Sequence, residues 1–303
     1  MNFRTINDLN RHISAAMVAL PDNLDLIVGI PRSGLLPATI IALKLNIELT
    51  TVEGFLNGLV FENGSSRQFS PKKKTWKNVL VVDDSCHSGA QLAKVKARIA
   101  SANLLATIHY FTVYVTPDSA HLVDCYANVC EAPRMFEWNV MHHPYLQNCC
   151  MDIDGVLCPD PLNNQNDDGP HYLHFLQTTR PLQIPTCKVG FLVTARLEKY
   201  RPETEAWLKA HKVDYGQLVM YPGTAEERRR SQGHGLFKAS FYSKIGAMFF
   251  IESNVTQAAE IARKSKKPVL CSENMQVFYP VNKHWTQNLK LANVKKLFKR
   301  VWH

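Results

Sequence analysis

The sequence predicts an α/β protein of two Rossmann-like, doubly wound domains, and three observations predict it. Val79–Val82 is an unbroken Val/Leu run that meets paired aspartates, Asp83 and Asp84, then a short polar loop from Ser85 to Gly89 and a helical start at Ala90. A second strand, Leu24 to Ile30, ends in the turn Gly29-Ile30-Pro31-Arg32-Ser33-Gly34 ahead of a helix from Leu35 to Leu45. From Cys149 the strand-then-carboxylate pattern restarts, in Asp152-Ile153-Asp154-Gly155. Continuous apolar runs suit strands buried on both faces of a parallel sheet. At 303 residues the chain is long for one domain, and two are the better expectation.

Around these landmarks the remaining elements follow in order. Residues 5–20 read as an opening helix, with Ile6, Leu9, Ile13, Met17 and Leu20 on one side. Pro21 to Asn23 break it. Ala106 to Val115 reads as a third strand of the first domain, and Pro133 to Val140 is an aromatic segment. In the second half, Gly190 to Arg196 and Ala247 to Asn254 read as strands. The predicted boundaries are 1–147, 148–280 and a basic amphipathic tail over 281–303.

Composition narrows the class. Apolar content is 46%, ordinary for a globular protein, and no stretch is long and apolar enough to span a bilayer. The opening MNFRTINDLN lacks the apolar core of a signal peptide. Eight cysteines fall in no disulfide-like or zinc-like spacing, which suits reduced thiols in the cytoplasm. The net charge of +9 suggests anionic ligands such as phosphates, or a nucleic-acid surface. Six of the basic residues lie in the last 21 positions, which weakens a nucleic-acid role for the whole chain.

The loop after Asp84 sets successive backbone N–H groups at a helix N-terminus, where the dipole favours an anion. Two carboxylates at a strand end suit sugar hydroxyls or a divalent cation. The ligand called for carries a phosphate and a polyol. The segment VLVVDDSCHSGAQL resembles the phosphoribosyl pyrophosphate (PRPP) motif of the type I phosphoribosyltransferases. The resemblance implies that Asp83 and Asp84 hold the ribose hydroxyls, and that Ser85, Cys86, His87, Ser88, Gly89, Ala90 and Gln91 wrap the 5′-phosphate. His87 stands where that family usually has a hydroxyl residue, and Gln91 where it has Thr. Arg32, Ser33 and Gly34 would take the pyrophosphate. Between the two motifs, Leu56 to Trp76 is polar and basic, with Arg67 and Lys72 to Lys74, and matches the interval of the family's closing loop. Phe136 and Trp138 resemble the family's base-side segment; packing in a core is an equal reading of the same two rings.

Asp152 and Asp154 occupy alternate positions, and Gly155 permits the turn that lets both face one way. Such a pair can divide labour between attack and proton transfer. The segment resembles motif one of the haloacid dehalogenase (HAD) superfamily of phosphohydrolases, and further motifs of that family follow in order. By this resemblance Asp152 is the nucleophile and Asp154 the acid/base. Thr194 and Lys238 bind phosphate, with Lys244 the second candidate. Asp152, Asp154 and Glu252 hold magnesium. Where many members carry a second acidic residue, this chain has Ser253 and Asn254. The intervals leave no room for a large cap domain. Arg228, Arg229 and Arg230 read as a solvated loop partnered by Glu226 and Glu227, with an anion-greeting role as the other reading.

Taken together, the expectation is a type I phosphoribosyltransferase fold followed by a capless HAD-like fold. The implied activity is magnesium- and PRPP-dependent transfer to a nitrogen acceptor in nucleotide metabolism, with a phosphatase for the product. A PRPP- or nucleotide-sensing regulator, and an enzyme acting on a nucleic acid or other macromolecule, stay open as alternatives. From Leu291 to Trp302 apolar and basic residues alternate as in an amphipathic helix, which suits docking on the protein itself or in a homodimer.

Overall fold

The computed structural model describes residues 1–61, 75–165, 168–230 and 233–280. The chain divides into two compact units, Met1–Val140 and Met141–His303. The loop carrying Arg67 and Lys72 to Lys74, and the basic tail from 281, lie outside the described residues. The second unit takes in the turn Pro144–Asn148, which runs straight into that unit's first strand.

The first unit runs β1 (Asn2–Arg4), α1 (Ile6–Ala16), β2 (Leu26–Gly29), α2 (Leu35–Leu45), β3 (Glu48–Thr51), α3 (Val52–Leu56), β4 (Asn78–Cys86), α4 (Ala90–Ser101), β5 (Thr107–Val115), β6 (Cys125–Val129) and β7 (Arg134–Phe136). Five strands form a parallel sheet in the order β3-β2-β4-β5-β6. Each face carries its own core. Ile27, Leu80, Val82, Phe111 and Val113 pack against Leu9 and Ile13 of α1 and Ala38 and Ile41 of α2. Leu26, Val28, Val79, Val81 and Val115 pack against Phe55 of α3 and Leu92, Val95 and Ile99 of α4. Helices on both faces explain why β2 and β4 read as unbroken apolar runs. A separate parallel pair, β1 with β7, sets Arg4 opposite Phe136.

Local signals fix the helix ends. Thr5 caps α1 in a capping box with Asp8. The helix is shorter than its apolar spacing predicts, because residues 17–19 tighten into a 3₁₀ turn. Asn46 ends α2 in the left-handed conformation, φ 55°.

The second unit runs β8 (Cys149–Met151), α5 (Pro170–Thr178), β9 (Val189–Leu197), α6 (Arg201–Ala210), β10 (Tyr215–Tyr221), α7 (Ala225–Arg230), α8 (His234–Lys244), β11 (Phe249–Glu252), α9 (Val255–Ser265), β12 (Val269–Cys271) and β13 (Gln276–Phe278). The sheet order is β10-β9-β8-β11-β12-β13, parallel except for the last strand. One face packs Cys150, Val193, Phe250 and Val269 against Ala239 and Tyr242 of α8 and Ile261 and Ala262 of α9. Among the described residues no helix is long and apolar enough to cross a membrane.

Both sheets reverse direction beside their first strand. In the first unit the chain goes outward from β2 to β3 and then returns to β4. In the second it goes from β8 to β9 and β10 and then returns to β11. Crevices at the carboxyl ends of such strand pairs are where open α/β sheets bind ligands.

Candidate functional site

At the first reversal, the turn after β2 meets the end of β4. Ser33 Oγ donates to Asp84 Oδ1 at 2.9 Å, and the Trp138 indole N–H donates to Asp84 Oδ2 at 2.7 Å. The backbone N–H of Asp84 donates to Asp83 Oδ1 at 2.9 Å. Both carboxylates are buried. Burial, then the adjacent charge of Asp84, pushes Asp83 up to about 8. Gly34 makes the meeting of the two segments feasible. A Cβ there would lie 2.5 Å from the Ile30 carbonyl oxygen and 2.9 Å from Asp83 Oδ1. Arg32 is exposed beside it.

The predicted phosphate loop is shorter than its sequence suggests. Ser85 and Cys86 belong to β4, paired with Tyr114 and Val115 of β5. The Cys86 side chain lies in the apolar core, and its carbonyl accepts from Ser119 Oγ at 3.0 Å and Arg134 Nη2 at 2.9 Å. The turn proper is His87, Ser88 and Gly89, all beyond the strand end, with Ala90 and Gln91 opening α4. Gly89 sits at φ 76°, and a Cβ there would meet Leu122 Cδ1 at 2.4 Å, so that position requires glycine.

The two base-side candidates separate. Phe136 is 4% exposed and belongs to the core, stacked on Tyr114 with centroids 5.2 Å apart. A buried ring held between Tyr114 and Trp138 has no face to offer a nucleobase. Trp138 is half-buried, stacks on Phe136 at 4.9 Å and 3°, and turns its N–H to Asp84. The column continues to His12, whose Nδ1 lies 3.0 Å from the Tyr114 hydroxyl; burial pushes that imidazole down to about 4.

At the second reversal a cavity of about 200 Å³ is lined by Asp152, Asp154, Thr194, Arg196, Lys238 and Glu252, with Arg228, His234 and Gln257 among its further walls. Gly155, at φ 73°, turns the chain after Asp154, and a Cβ there would lie 2.1 Å from Ser253 Oγ. The buried Lys238 ammonium donates to Asp152 Oδ2 at 2.5 Å, Glu252 Oε2 at 2.7 Å and Gln257 Oε1 at 2.9 Å. Lys244, at the far end of α8, is exposed and takes no part. Asp154 is clamped by Arg196, through Nη2 to Oδ1 at 2.6 Å and Nε to Oδ2 at 3.1 Å. Arg196 also donates to Thr204 Oγ1 at 3.4 Å.

The two aspartates titrate in opposite directions. Burial works to raise Asp152 against the attraction of Lys238, since that one ammonium faces two carboxylates. Burial also works to raise Asp154, but the charge and hydrogen bonds of Arg196 overcome it and hold Asp154 below the usual carboxylate range. Thr194 is buried, and its Oγ1 accepts from the Arg196 N–H at 3.2 Å. Among the described residues no group of three or more His, Cys, Asp or Glu is arranged to hold a metal ion.

Three residues of this cavity escape motif reasoning. Arg228 is buried at 3% exposure and donates to the Ala195 carbonyl, where its neighbours suggested a solvated loop; Arg230 pairs with Glu226 on the surface. Arg196 is visible in sequence only as the end of an apolar strand. Gln257 has no sequence signal beyond its place three residues after the Asn254 cap.

Residues 3–146 match the model of the phosphoribosyl transferase domain. Among solved structures, a purine phosphoribosyltransferase from Pyrococcus horikoshii is 21% identical over 45% of this chain and 92% of that one, with a TM-score of 0.34. A xanthine-guanine-hypoxanthine phosphoribosyltransferase from Helicobacter pylori is 14% identical over 46% of this chain and 95% of that one, with a TM-score of 0.36. No curated protein matches the chain. Residues 3–146, which begin in β1 and run past β7, therefore match a phosphoribosyl transferase domain, and strands β2 to β6 within them form the parallel α/β sheet of the first unit.

Proposed function

We propose that the first unit transfers a phosphoribosyl group from PRPP to a nitrogen nucleophile, most simply a nucleobase. The observation that carries the reading is the convergence of Ser33, Asp84 and Trp138, which joins three segments at one carboxylate. In the reaction the acceptor nitrogen bonds to C1 of the ribose as the C1–O bond to pyrophosphate breaks, and the acceptor loses a proton. Asp83 and Asp84 orient the ribose hydroxyls. His87 to Gln91 receive the 5′-phosphate on backbone N–H groups at the start of α4. Arg32, Ser33 and Gly34 receive the leaving pyrophosphate. Such chemistry is mostly positioning and charge stabilisation. Magnesium fits this site, because two adjacent buried carboxylates repel each other and the diphosphate brings further oxygens. Asp83 and Asp84 would hold it with the ligand, where it would offset the charge of the departing pyrophosphate.

We propose for the second unit a HAD-type phosphatase centre. Thr194 and Lys238 would hold the phosphoryl group. Asp152 would attack phosphorus as the ester oxygen leaves with a proton from Asp154; water, giving a proton back to Asp154, would then break the Asp152–phosphoryl bond and release phosphate. These proton transfers require Arg196 to release Asp154, and phosphoryl oxygens are the natural replacement partner for the guanidinium. The carboxylates as arranged do not fit a magnesium ion, since Lys238 and Arg196 take the oxygens that would face it. The transfer and the hydrolysis would act in sequence on one product.

The Asp154–Arg196 clamp favours one further reading, in which the second unit binds a phosphate without turnover. Release of phosphate and pyrophosphate across a panel of bases, with Asp84→Asn and Asp152→Asn beside the wild type, separates these outcomes. Base-dependent pyrophosphate release lost only in Asp84→Asn supports the transferase. Phosphate release lost only in Asp152→Asn supports the phosphatase. Ligand binding with neither release supports a sensor.

A further inference from the structure

The Lys238 ammonium has three N–H bonds and three acceptors: two carboxylates and the carboxamide oxygen of Gln257. A phosphoryl oxygen can reach this cation only by replacing one of them. We propose that Gln257 is the internal stand-in for that oxygen, and that phosphate binds the second cavity by displacing Gln257 from Lys238. This rests on reading the cavity as a phosphate site.

Four observations select Gln257 among the three partners. It is the only neutral one and makes the longest bond, 2.9 Å against 2.5 and 2.7 Å. Asp152 and Glu252 are 4% and 0% exposed, so either would be left as an uncompensated buried charge on losing the ammonium. Gln257 is half-buried on the cavity wall, where its amide can turn to water. Finally, its usual task has been taken. Gln257 lies at the third position of α9 after the Asn254 cap, where a Gln side chain commonly reaches back to the cap N–H. Here the Asn254 N–H donates instead to Glu252 Oε1 at 3.1 Å. The carboxamide is thereby released from the helix end and directed to Lys238, while the backbone N–H of Gln257 keeps its bond to Asn254 Oδ1 at 3.0 Å.

The test is calorimetric titration of inorganic phosphate into the full chain. Gln257→Ala and Gln257→Met both remove the acceptor, and the Met variant keeps the volume should the Ala variant fold poorly. Both are expected to bind phosphate at least about tenfold tighter than wild type, the scale of one hydrogen bond to a charged group. Gln257→Glu adds a third carboxylate at the ammonium and is expected to bind at least about tenfold more weakly. Lys238→Ala is expected to abolish binding. A residue that merely holds Lys238 in place would give the opposite sign, so unchanged or weaker binding by Gln257→Met, with Lys238-dependent binding in the wild type, overturns the stand-in and leaves the phosphate cavity intact. Absence of Lys238-dependent phosphate binding in wild type and both acceptor-free variants overturns the cavity reading, and the stand-in with it.

Discussion

Trp138 and Asp84 lie 54 positions apart and share one hydrogen bond, indole N–H to Oδ2 at 2.7 Å. With Ser33 on the other oxygen, the carboxylate is held from the turn after β2 and from the aromatic segment at once. Trp138→Phe keeps a ring on Phe136 but deletes the donor. A hydrogen bond to a charged group contributes about 1.5–3 kcal/mol. PRPP affinity should therefore fall roughly tenfold or more, and thermal unfolding should move down as well, since the same bond holds a buried carboxylate in the unliganded fold. Fluorescence or calorimetric titration with PRPP checks this; unaltered affinity would mean that Trp138 does not position Asp84.

Gly34 is tested by adding one carbon. Its Cβ would press on the Ile30 and Val82 carbonyls and on Asp83, all backbone or buried atoms that yield little. Gly34→Ala should destabilise the first unit by about 1–3 kcal/mol and weaken PRPP binding by separating Ser33 from Asp84. Gly58 has nothing within 4 Å of its Cβ position but a φ of 69°, so Gly58→Ala should cost stability through backbone strain without the loss of PRPP affinity. Equal PRPP binding by Gly34→Ala and wild type would sink the account.

The contrast between residues explains what could be read from the chain. Helix starts at Leu35 and Ala90 were legible because each follows an apolar strand and a glycine turn, both local signals. The carboxylates at strand ends, and Lys238 near them, were legible as spaced motifs. Partnerships were not. Nothing near Arg196 announces that its guanidinium reaches 42 positions back to Asp154, and Gln257 meets Lys238 only because Glu252 takes the cap N–H. Ser85 and Cys86 look like loop because they are small and polar, yet pairing with Tyr114 and Val115 extends the strand through them. Strands of three residues, such as β1 and β7, are too short to show a period.

Asp83 should make stability fall as pH rises. Its folded pKa is raised to about 8 from an ordinary 3.8, so the folded state binds the proton more tightly than the unfolded chain. That contribution is complete below the ordinary value and is lost as pH climbs through the folded one. Denaturant titrations of wild type between pH 5 and pH 9 should show the decline, and Asp83→Asn should flatten it. An identical slope in both proteins would place the titrating group elsewhere. Saturating PRPP with magnesium should also reduce the slope, because a bound cation favours the ionised pair.

Arg196 and Asp154 make the opposite linkage. Arg196 depresses the Asp154 pKa, so this contribution is present above the ordinary carboxylate value and is lost as pH falls below it. Arg196 is fully buried and the Asp154 side chain is 17% exposed. Removing the cation alone leaves a mostly buried carboxylate without its counter-charge, which costs about 3–5 kcal/mol. Arg196→Met should be destabilised on that scale, with the penalty easing in acid as Asp154 takes a proton. The double variant Arg196→Met/Asp154→Leu should recover much of the loss, because an apolar pair of similar size needs no compensation. Chemical denaturation of wild type, the two single variants Arg196→Met and Asp154→Leu, and the double variant gives the coupling between the two sites. A double variant as unstable as the sum of its two single changes would show that the clamp contributes no specific pairing energy, and that Arg196 supports the fold through its contacts with Thr204 and the strand alone.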